Sequence, residues 1–159
     1  DGPLPTLDST RLLARAALEA NDGAKARRVL DWLASVPAGS RAGSWFEFYG
    51  PRPVPPYPQV GIVPWTWAEL IFLFIHHIVG VRPAADALRL RPRLLPGLEK
   101  MEADLPVRGG RLEIAVRRAR RGEAPRFEIG SRKIPCRRNG VAVELPAKGG
   151  RVAIRGIIP

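Results

Sequence analysis

A long apolar stretch in the middle of the chain places the strongest constraint on the fold. The run from Trp65 to Val81 covers 17 residues and contains Glu69, His76 and His77. A membrane-spanning helix needs about 20 mostly apolar residues, so this run does not predict a membrane span. A helix that is apolar on every face has to be buried. We therefore expect the segment to be a central helix of a larger helical assembly.

The ends of this helix carry recognisable signals. Thr66 and Glu69 have the spacing of a capping box, and Trp65 and Leu70 are placed for a hydrophobic staple. Gly80 suits a C-terminal cap. The sequence thus predicts a helix from Thr66 to Val79. Its two neighbouring histidines point to different helix faces, so we expect packing roles for them rather than a shared metal site.

The residues before this helix predict a helical hairpin. Asp8 or Ser9 can cap a first helix, Asn21-Asp22-Gly23 has the composition of a turn, and Pro37 ends a second helix. Apolar residues follow helical spacing in both segments: Leu12, Leu13, Ala16, Ala17 and Ala20, then Ala26, Val29, Leu30, Leu33 and Val36.

After Gly80 the apolar residues alternate with polar ones, which indicates short strands. The alternating segments are 87–91, 112–116, 127–129, 141–145 and 152–154, and they are separated by Gly109-Gly110, Asn139-Gly140 and Gly149-Gly150. Short strands between turn signals favour a small antiparallel β-sandwich. The predicted fold class is therefore α+β, with a helical domain over residues 1–82 and a C-terminal β-domain over residues 83–159.

The charge of the chain is concentrated in the β-domain. The net charge is +11, and residues 81–159 carry all of the excess, with 19 basic and 8 acidic residues. A basic surface can bind phosphate backbones, but no aromatic residues are interleaved here for base stacking. We expect a solvated outer sandwich face and no nucleic-acid partner.

An alternative function remains open at this stage. The chain would then be a non-catalytic basic module that binds nucleic acid or another anionic polymer through residues 108–138. The feature that favours it is a cluster of cations: Arg117, Arg118, Arg120, Arg121, Arg132, Lys133, Arg137 and Arg138.

Other classes of site have little support in the sequence. The single cysteine, Cys136, excludes an internal disulfide framework and a cysteine-rich zinc site. Neither a phosphate-binding glycine loop nor zinc-ligand spacing is present, so we expect no metal and no cofactor. The chain begins at Asp1 rather than at a methionine, which suggests a processed chain or a fragment.

The connection between residues 37 and 64 holds the best catalytic candidate. Glu47 is the only carboxylate between Asp31 and Glu69, and Trp45, Phe46, Phe48 and Tyr49 surround it in the sequence. An acid among apolar side chains has a perturbed proton affinity, as general acid or base catalysis requires. A solvent-facing loop glutamate is the alternative interpretation.

The stretches WFEFYGP and VGIVPWTWAELI resemble the end of the catalytic domain in six-hairpin glycosidases, the (α/α)6-barrel enzymes of the α-glucosidase, trehalase-like and α-rhamnosidase type. The later PADALRLRPRLLPGLEKMEADLPVRGGRLEIAVRR is similar to the barrel exit and C-terminal β-domain of these enzymes. The resemblance covers roughly residues 8–120. It implies that the chain holds the last helices of an (α/α)6 barrel followed by a small antiparallel β-sandwich.

The resemblance also implies a glycosidase, of the inverting type, that acts on a carbohydrate substrate. Glu47 matches the catalytic base of the family, and the aromatic or polar residues expected to shape the sugar pocket are Trp45, Tyr49, Gln59, Trp65 and Trp67. The general acid of the family lies earlier in the chain, and no candidate for it occurs here. We therefore expect the preceding part of the same polypeptide, or a second chain, to complete the barrel.

Overall fold

The computed structural model describes residues 7–35, 64–137 and 140–159, and the chain divides into two units, 1–73 and 74–159. The described part is a mixed α+β fold with helices in the first unit and two β-sheets in the second. The α+β class and the order of helices before strands confirm the coarse prediction. The division falls inside the apolar helical segment, and the domain boundary after residue 82 stays a prediction.

The first unit begins with the predicted helical hairpin. Helix α1 spans Leu7–Glu19 and helix α2 spans Gly23–Ser35. Because α1 already begins at Leu7, Asp8 and Ser9 lie within its first turn, and the expectation that one of them precedes the helix as a cap is wrong.

The turn between α1 and α2 ends one helix and starts the next. Asn21 adopts a left-handed conformation with φ of 62°. The backbone N–H of Asp22 donates to the carbonyl of Ala17 at 2.7 Å, and that of Asn21 donates to Leu18 at 3.1 Å. These two bonds form a Schellman motif. The Asp22 carboxylate then accepts a hydrogen bond from the backbone N–H of Lys25 at 2.9 Å, which caps α2.

Small and large apolar residues are buried together in this hairpin. Ala14, Ala17 and Ala26 are at most 4% exposed, and Leu18 and Leu33 are 1% and 3% exposed. By contrast, Leu12 is 57% exposed and Leu13 is 48% exposed. The apolar spacing therefore identified the helix correctly, but the leucines at its start are not part of the buried face.

The central apolar segment forms helix α3, Pro64–Phe72, which continues as a π-helix over Leu73–Ile78. Because α3 begins at Pro64, Thr66 lies inside its first turn, and the predicted capping box is wrong. Proline is favoured at the first helical position, where its missing N–H costs nothing. The predicted C-terminal cap is confirmed, since Gly80 has φ of 79° and a Cβ there would collide with the carbonyl of Arg91.

Within this chain the helix is buried on one side only, and its burial in a larger helical assembly stays a prediction. Its buried side is formed by Leu70, Leu73, His77 and Ile78. Its other side carries large apolar residues that are 43–56% exposed: Trp67, Ile71, Phe72 and Phe74.

Eight strands form two sheets in the second unit. They are β1 Val81–Pro83, β2 Ala87–Leu90, β3 Lys100–Val107, β4 Gly110–Arg118, β5 Arg126–Ile129, β6 Arg132–Pro135, β7 Val141–Glu144 and β8 Arg151–Ile158. One sheet has the strand order β1-β2-β7, and the other has the order β3-β4-β8-β5-β6. The predicted strand segments are confirmed, while β1, β3 and β6 were not predicted.

The second sheet departs from the expected antiparallel arrangement at one pair. Strands β4 and β8 run parallel, with Ile114 opposite Ile154 and Val116 opposite Gly156. Both strands begin at the same end of the sheet, where the backbone N–H of Arg111 donates to the carbonyl of Gly150 at 2.9 Å. Local alternation cannot reveal strand direction, so the prediction of a wholly antiparallel sandwich is wrong at this pair.

A single apolar core lies between the two sheets. The three-stranded sheet contributes Val81, Leu88, Leu90, Val141 and Val143, and the five-stranded sheet contributes Leu112, Ile114, Val116, Phe127, Ile154 and Ile158. Alternate residues face this core and the solvent, as expected for a sandwich-like arrangement.

Candidate functional site

Most of the predicted sugar-site residues lie outside the described part of the chain. Glu47, Trp45, Tyr49 and Gln59 fall in residues 36–63, so their roles stay predictions.

The two remaining site residues lie on α3. Trp65 is its second residue and Trp67 its fourth, and the Trp67 side chain is 43% exposed. The side chain of Trp65 lies outside what the structure describes, so its role in a sugar site stays a prediction.

One side of α3 and of the π-helix that continues it carries four large apolar residues that are 43–56% exposed. Trp67, Ile71 and Phe74 recur at helical spacing, and Phe72 adjoins them. Isolated exposed apolar residues are ordinary, but a contiguous group of this size typically marks an interaction surface. We refer to these four residues, of which Phe74 belongs to the π-helix, as the apolar face of α3.

The end of the π-helix holds a buried histidine in a defined polar contact. His77 is 9% exposed, and its Nδ1 lies 2.8 Å from Nη2 of Arg82. Nε of the same arginine donates to the carbonyl oxygen of His76 at 2.9 Å. A guanidinium can only donate hydrogen bonds, so Nδ1 of His77 accepts one. The imidazole is therefore neutral, with its proton on Nε2.

The neighbouring His76 also favours its neutral form. Burial, and secondly the charge of Arg82, lower the pKa of His76 below its usual 6.5. Both histidines thus contact one arginine. Within the described ranges, no group of three His, Cys, Asp or Glu side chains is placed to hold a metal ion.

The only cysteine lies away from this helix end. Cys136 follows β6, and its thiol is free and half-buried. Burial raises the pKa of the Cys136 thiol, so the thiol stays protonated at neutral pH and is a poor nucleophile. This agrees with a structural role.

The outer face of the five-stranded sheet is charged but largely self-neutralised. Ion pairs on this face include three with nitrogen–oxygen distances of 2.7, 2.8 and 3.1 Å: Arg111–Asp104, Arg151–Glu113 and Arg126–Glu128. Such exposed pairs contribute little to stability. Their effect is to place acids between the arginines, which lowers the positive potential of the face.

An open groove of about 500 Å³ crosses this face. Ala115 and Ala153 form its floor, while Glu102, Asp104, Glu113 and Arg155 are its charged lining residues. Two of these acids already pair with Arg111 and Arg151. The groove therefore shows no clear preference for an anion or a cation.

Two members of the cationic cluster are engaged within the chain. Arg117 holds Glu123 through two hydrogen bonds of 2.6 and 2.7 Å, and the backbone N–H of Arg120 donates to the same carboxylate at 2.9 Å. These contacts, first the Arg117 hydrogen bonds, lower the pKa of Glu123 to about 2. Arg118 donates to backbone carbonyls that include Pro159 at 3.2 Å and Leu98 at 3.3 Å.

The other members do not form one stripe. Arg120 and Arg121 lie in the loop before β5, whereas Arg132 and Lys133 lie at the opposite end of the β5–β6 hairpin. Adjacent residues of a strand point to opposite faces, so Arg132 and Lys133 do not share a surface. Arg137 follows β6, and Arg138 lies outside the described residues. This arrangement is that of a dispersed, solvated surface.

Sequence reasoning missed the arginines with the most specific contacts. Arg82 follows the helix cap by two residues and returns to the helix end, but its sequence neighbourhood gave no indication of that contact. Arg118 was counted as a surface cation, whereas it binds the carbonyls of the loop before β3. Both contacts depend on how the chain folds back on itself.

Neither a protein-family model nor a curated protein matches this chain. Among the helices that the structure describes, none is both long enough and apolar enough to cross a membrane.

Proposed function

We propose that this chain is the C-terminal part of an inverting glycoside hydrolase, in which Glu47 is the general base. The observation that carries the proposal is the segment from Trp45 to Pro51 followed by the tryptophan-rich start of α3. It resembles the end of a six-hairpin, (α/α)6 catalytic barrel. The substrate would be an oligosaccharide or a polysaccharide, which the aromatic residues bind by stacking on the sugar faces.

The order of the elements supports this proposal. A helical hairpin and a further apolar helix precede two packed sheets, which is the order expected for the last barrel helices and a C-terminal β-domain. The helices in the described part of the chain are too few for a barrel of twelve, so the preceding part of the same polypeptide or a second chain would supply further ones.

The apolar face of α3 supports the need for further helices. Burying one large aliphatic or aromatic side chain is worth about 1.5–3 kcal/mol. Four such residues at about half exposure leave much of that energy unused in this chain. In an assembled barrel, neighbouring helices would cover this face.

The mechanism follows from the chemistry of inversion. A carboxylic acid protonates the leaving oxygen while a carboxylate removes a proton from the attacking water on the other side of the sugar ring. The two groups stand roughly 6.5–9.5 Å apart to leave space for that water. Glu47 would take the proton from water, and the acid would come from the preceding part of the barrel.

The test uses the complete polypeptide with Glu47→Gln, which keeps the shape of the side chain but cannot accept the proton. General base catalysis typically contributes about 10²–10⁴-fold, so kcat on a glycoside with a poor leaving group should fall by that factor. Glu144→Gln is the matched control, because Glu144 is exposed on β7 and should leave kcat unchanged.

Two outcomes would contradict the proposal. A loss of less than about threefold in the Glu47 variant would remove Glu47 as the base. Retention of the anomeric configuration, followed by NMR of the first product, would exclude an inverting mechanism. Residues 1–159 alone should lack activity, since they contain no candidate general acid. Hydrolysis by an isolated monomer would show that the chain needs no further helices.

A further inference from the structure

The junction between the π-helix and the first strand is the most specific polar arrangement outside the predicted sugar site. The chain leaves the helix at Gly80 and enters β1, and Arg82 of β1 then folds back to the helix end. One nitrogen of its guanidinium holds the backbone carbonyl of His76, and another holds the ring of His77. The arginine thereby fastens the last turn of the π-helix to the sheet.

The contact with His77 depends on protonation. Nδ1 accepts a hydrogen bond from Arg82 at 2.8 Å, which requires the neutral ring. Adding a proton to Nδ1 turns the acceptor into a donor and places a second positive charge against the guanidinium. At 9% exposure, water screens this repulsion poorly. The protonated ring therefore has to leave its position.

The charged groups around the helix end add to this effect. His76 belongs to the same π-helix and is partly exposed to solvent. The segment after β2 supplies Arg91 and Arg93, whose backbone N–H groups donate to the carbonyls of Gly80 and Ile78, and the guanidinium of Arg93 is buried. Arg82 and Arg93 carry positive charge. A protonated His77 would place a further positive charge beside the guanidinium of Arg82.

We infer that His77 and Arg82 form a pH-sensitive latch that fastens the last turn of the π-helix to strand β1 at neutral pH and loosens it on acidification. In the latched state, Arg82 bonds both the His77 ring and the His76 carbonyl. In the released state, His77 is protonated and exposed, and the last turn of the helix loses its side-chain anchor. π-Helical segments are common at functional positions because they are easily remodelled.

The latch predicts a direction for the pH dependence. Imidazole in an unfolded chain takes up a proton near pH 6.5, whereas the latched ring stays neutral. Stability is therefore fully present above about pH 6.5 and is lost as the pH falls below it, because the unfolded state binds more protons. For one such histidine the unfolding equilibrium constant rises by up to about tenfold per pH unit.

The chain offers a clean test because it has only two histidines. In the full chain with His76→Gln, His77 is the only histidine that titrates. Unfolding of this variant is measured from about pH 7.5 to pH 5.5, with and without Arg82→Gln. Arg89→Gln is the matched control, since Arg89 pairs with Arg82 in register but is exposed.

We expect Arg82→Gln to raise the unfolding equilibrium constant most at the neutral end of the range and to weaken its pH dependence. The unfolding constants measured with and without Arg82→Gln should therefore converge at low pH. Arg89→Gln should change neither the unfolding constant nor its pH dependence. Curves that stay parallel across this range would overturn the latch, because Arg82 would then act independently of the histidine.

A second measurement does not depend on the variants. Nitrogen-15 NMR of the histidine rings in the unsubstituted chain distinguishes the two tautomers. At neutral pH, His77 should show an unprotonated Nδ1 and a protonated Nε2, and the amide signals of residues 74–82 should move together as the ring protonates. A protonated Nδ1 at neutral pH, or a titration without movement of those amides, would refute the proposal.

Discussion

The close packing of Gly156 against Val116 and Phe127 gives the sharpest stability prediction. Gly156 lies in the middle of β8, facing the core, where a Cβ would come within 2.8 Å of Cγ1 of Val116 and 3.0 Å of two ring carbons of Phe127. Carbon atoms prefer separations of about 3.5–4.0 Å. A methyl group at this position therefore overlaps two side chains that are themselves almost fully buried.

The magnitude follows from the nature of the overlap. Adding a methyl group to a tightly packed core typically costs about 1–3 kcal/mol, because neighbouring side chains leave their preferred rotamers. We expect Gly156→Ala to impose this packing cost on the second unit and to destabilise it by the part that the intrinsic preference for alanine does not offset. Alanine is intrinsically better than glycine in a strand by about 0.5–1 kcal/mol, so the packing loss has to exceed that gain.

Two further variants identify the cause. Phe127→Leu removes the ring edge that meets the new methyl group, so the double variant should lose less stability than the sum of the single variants, with a coupling of about 0.5–3 kcal/mol. Ala153→Gly, at an exposed position of the same strand, should cost about 0.5–1 kcal/mol. This control measures the intrinsic preference without core contacts.

The assay has to observe the second unit directly. None of the four tryptophans and neither tyrosine lies in residues 74–159, so intrinsic aromatic fluorescence reports on the wrong unit. Urea unfolding followed by backbone amide NMR signals of β4, β5 and β8 avoids this problem. An unchanged or increased stability of Gly156→Ala, or additive losses in the double variant, would refute the packing argument.

Two other predictions follow from the charged residues. The pKa of Glu123 is lowered to about 2 from 4.5 by its bonds to Arg117 and Arg120. Its stabilising effect is therefore present above about pH 4.5 and is lost as the pH falls toward 2. The melting temperature of Glu123→Gln should depend less on pH in this range than that of the wild type, whereas Glu144→Gln should not weaken the pH dependence to the same extent. Because the basic residues are paired or dispersed, duplex DNA should bind only weakly, as measured by fluorescence anisotropy, and binding should vanish between about 50 and 200 mM salt. Sequence-selective DNA binding that survives the higher salt would support the nucleic-acid alternative.

The local chemistry of the sequence was sufficient to predict which segments form helices or strands and where many of them end. Alternation of apolar residues located β4 and β7, because every second side chain enters the core. The Asn21-Asp22 turn and Gly80 were identifiable because left-handed backbone conformations restrict the residues that fit. Strand β3 also alternates, with Met101, Ala103, Leu105 and Val107 on the inner side, so a stricter search for period two would have found it despite Pro106.

Tertiary structure decided the properties that depend on residues far apart in the chain. The parallel pairing of β4 with β8 has no local signal, because a strand has the same alternation in either direction. The apolar pattern predicted a helix that needs a larger assembly to cover it, but which residues of the helix stay exposed in this chain depended on the packing. The link from Arg82 back to His77, and from Arg118 to the loop carbonyls, arose only when folding placed a long, donor-rich side chain beside unsatisfied acceptors.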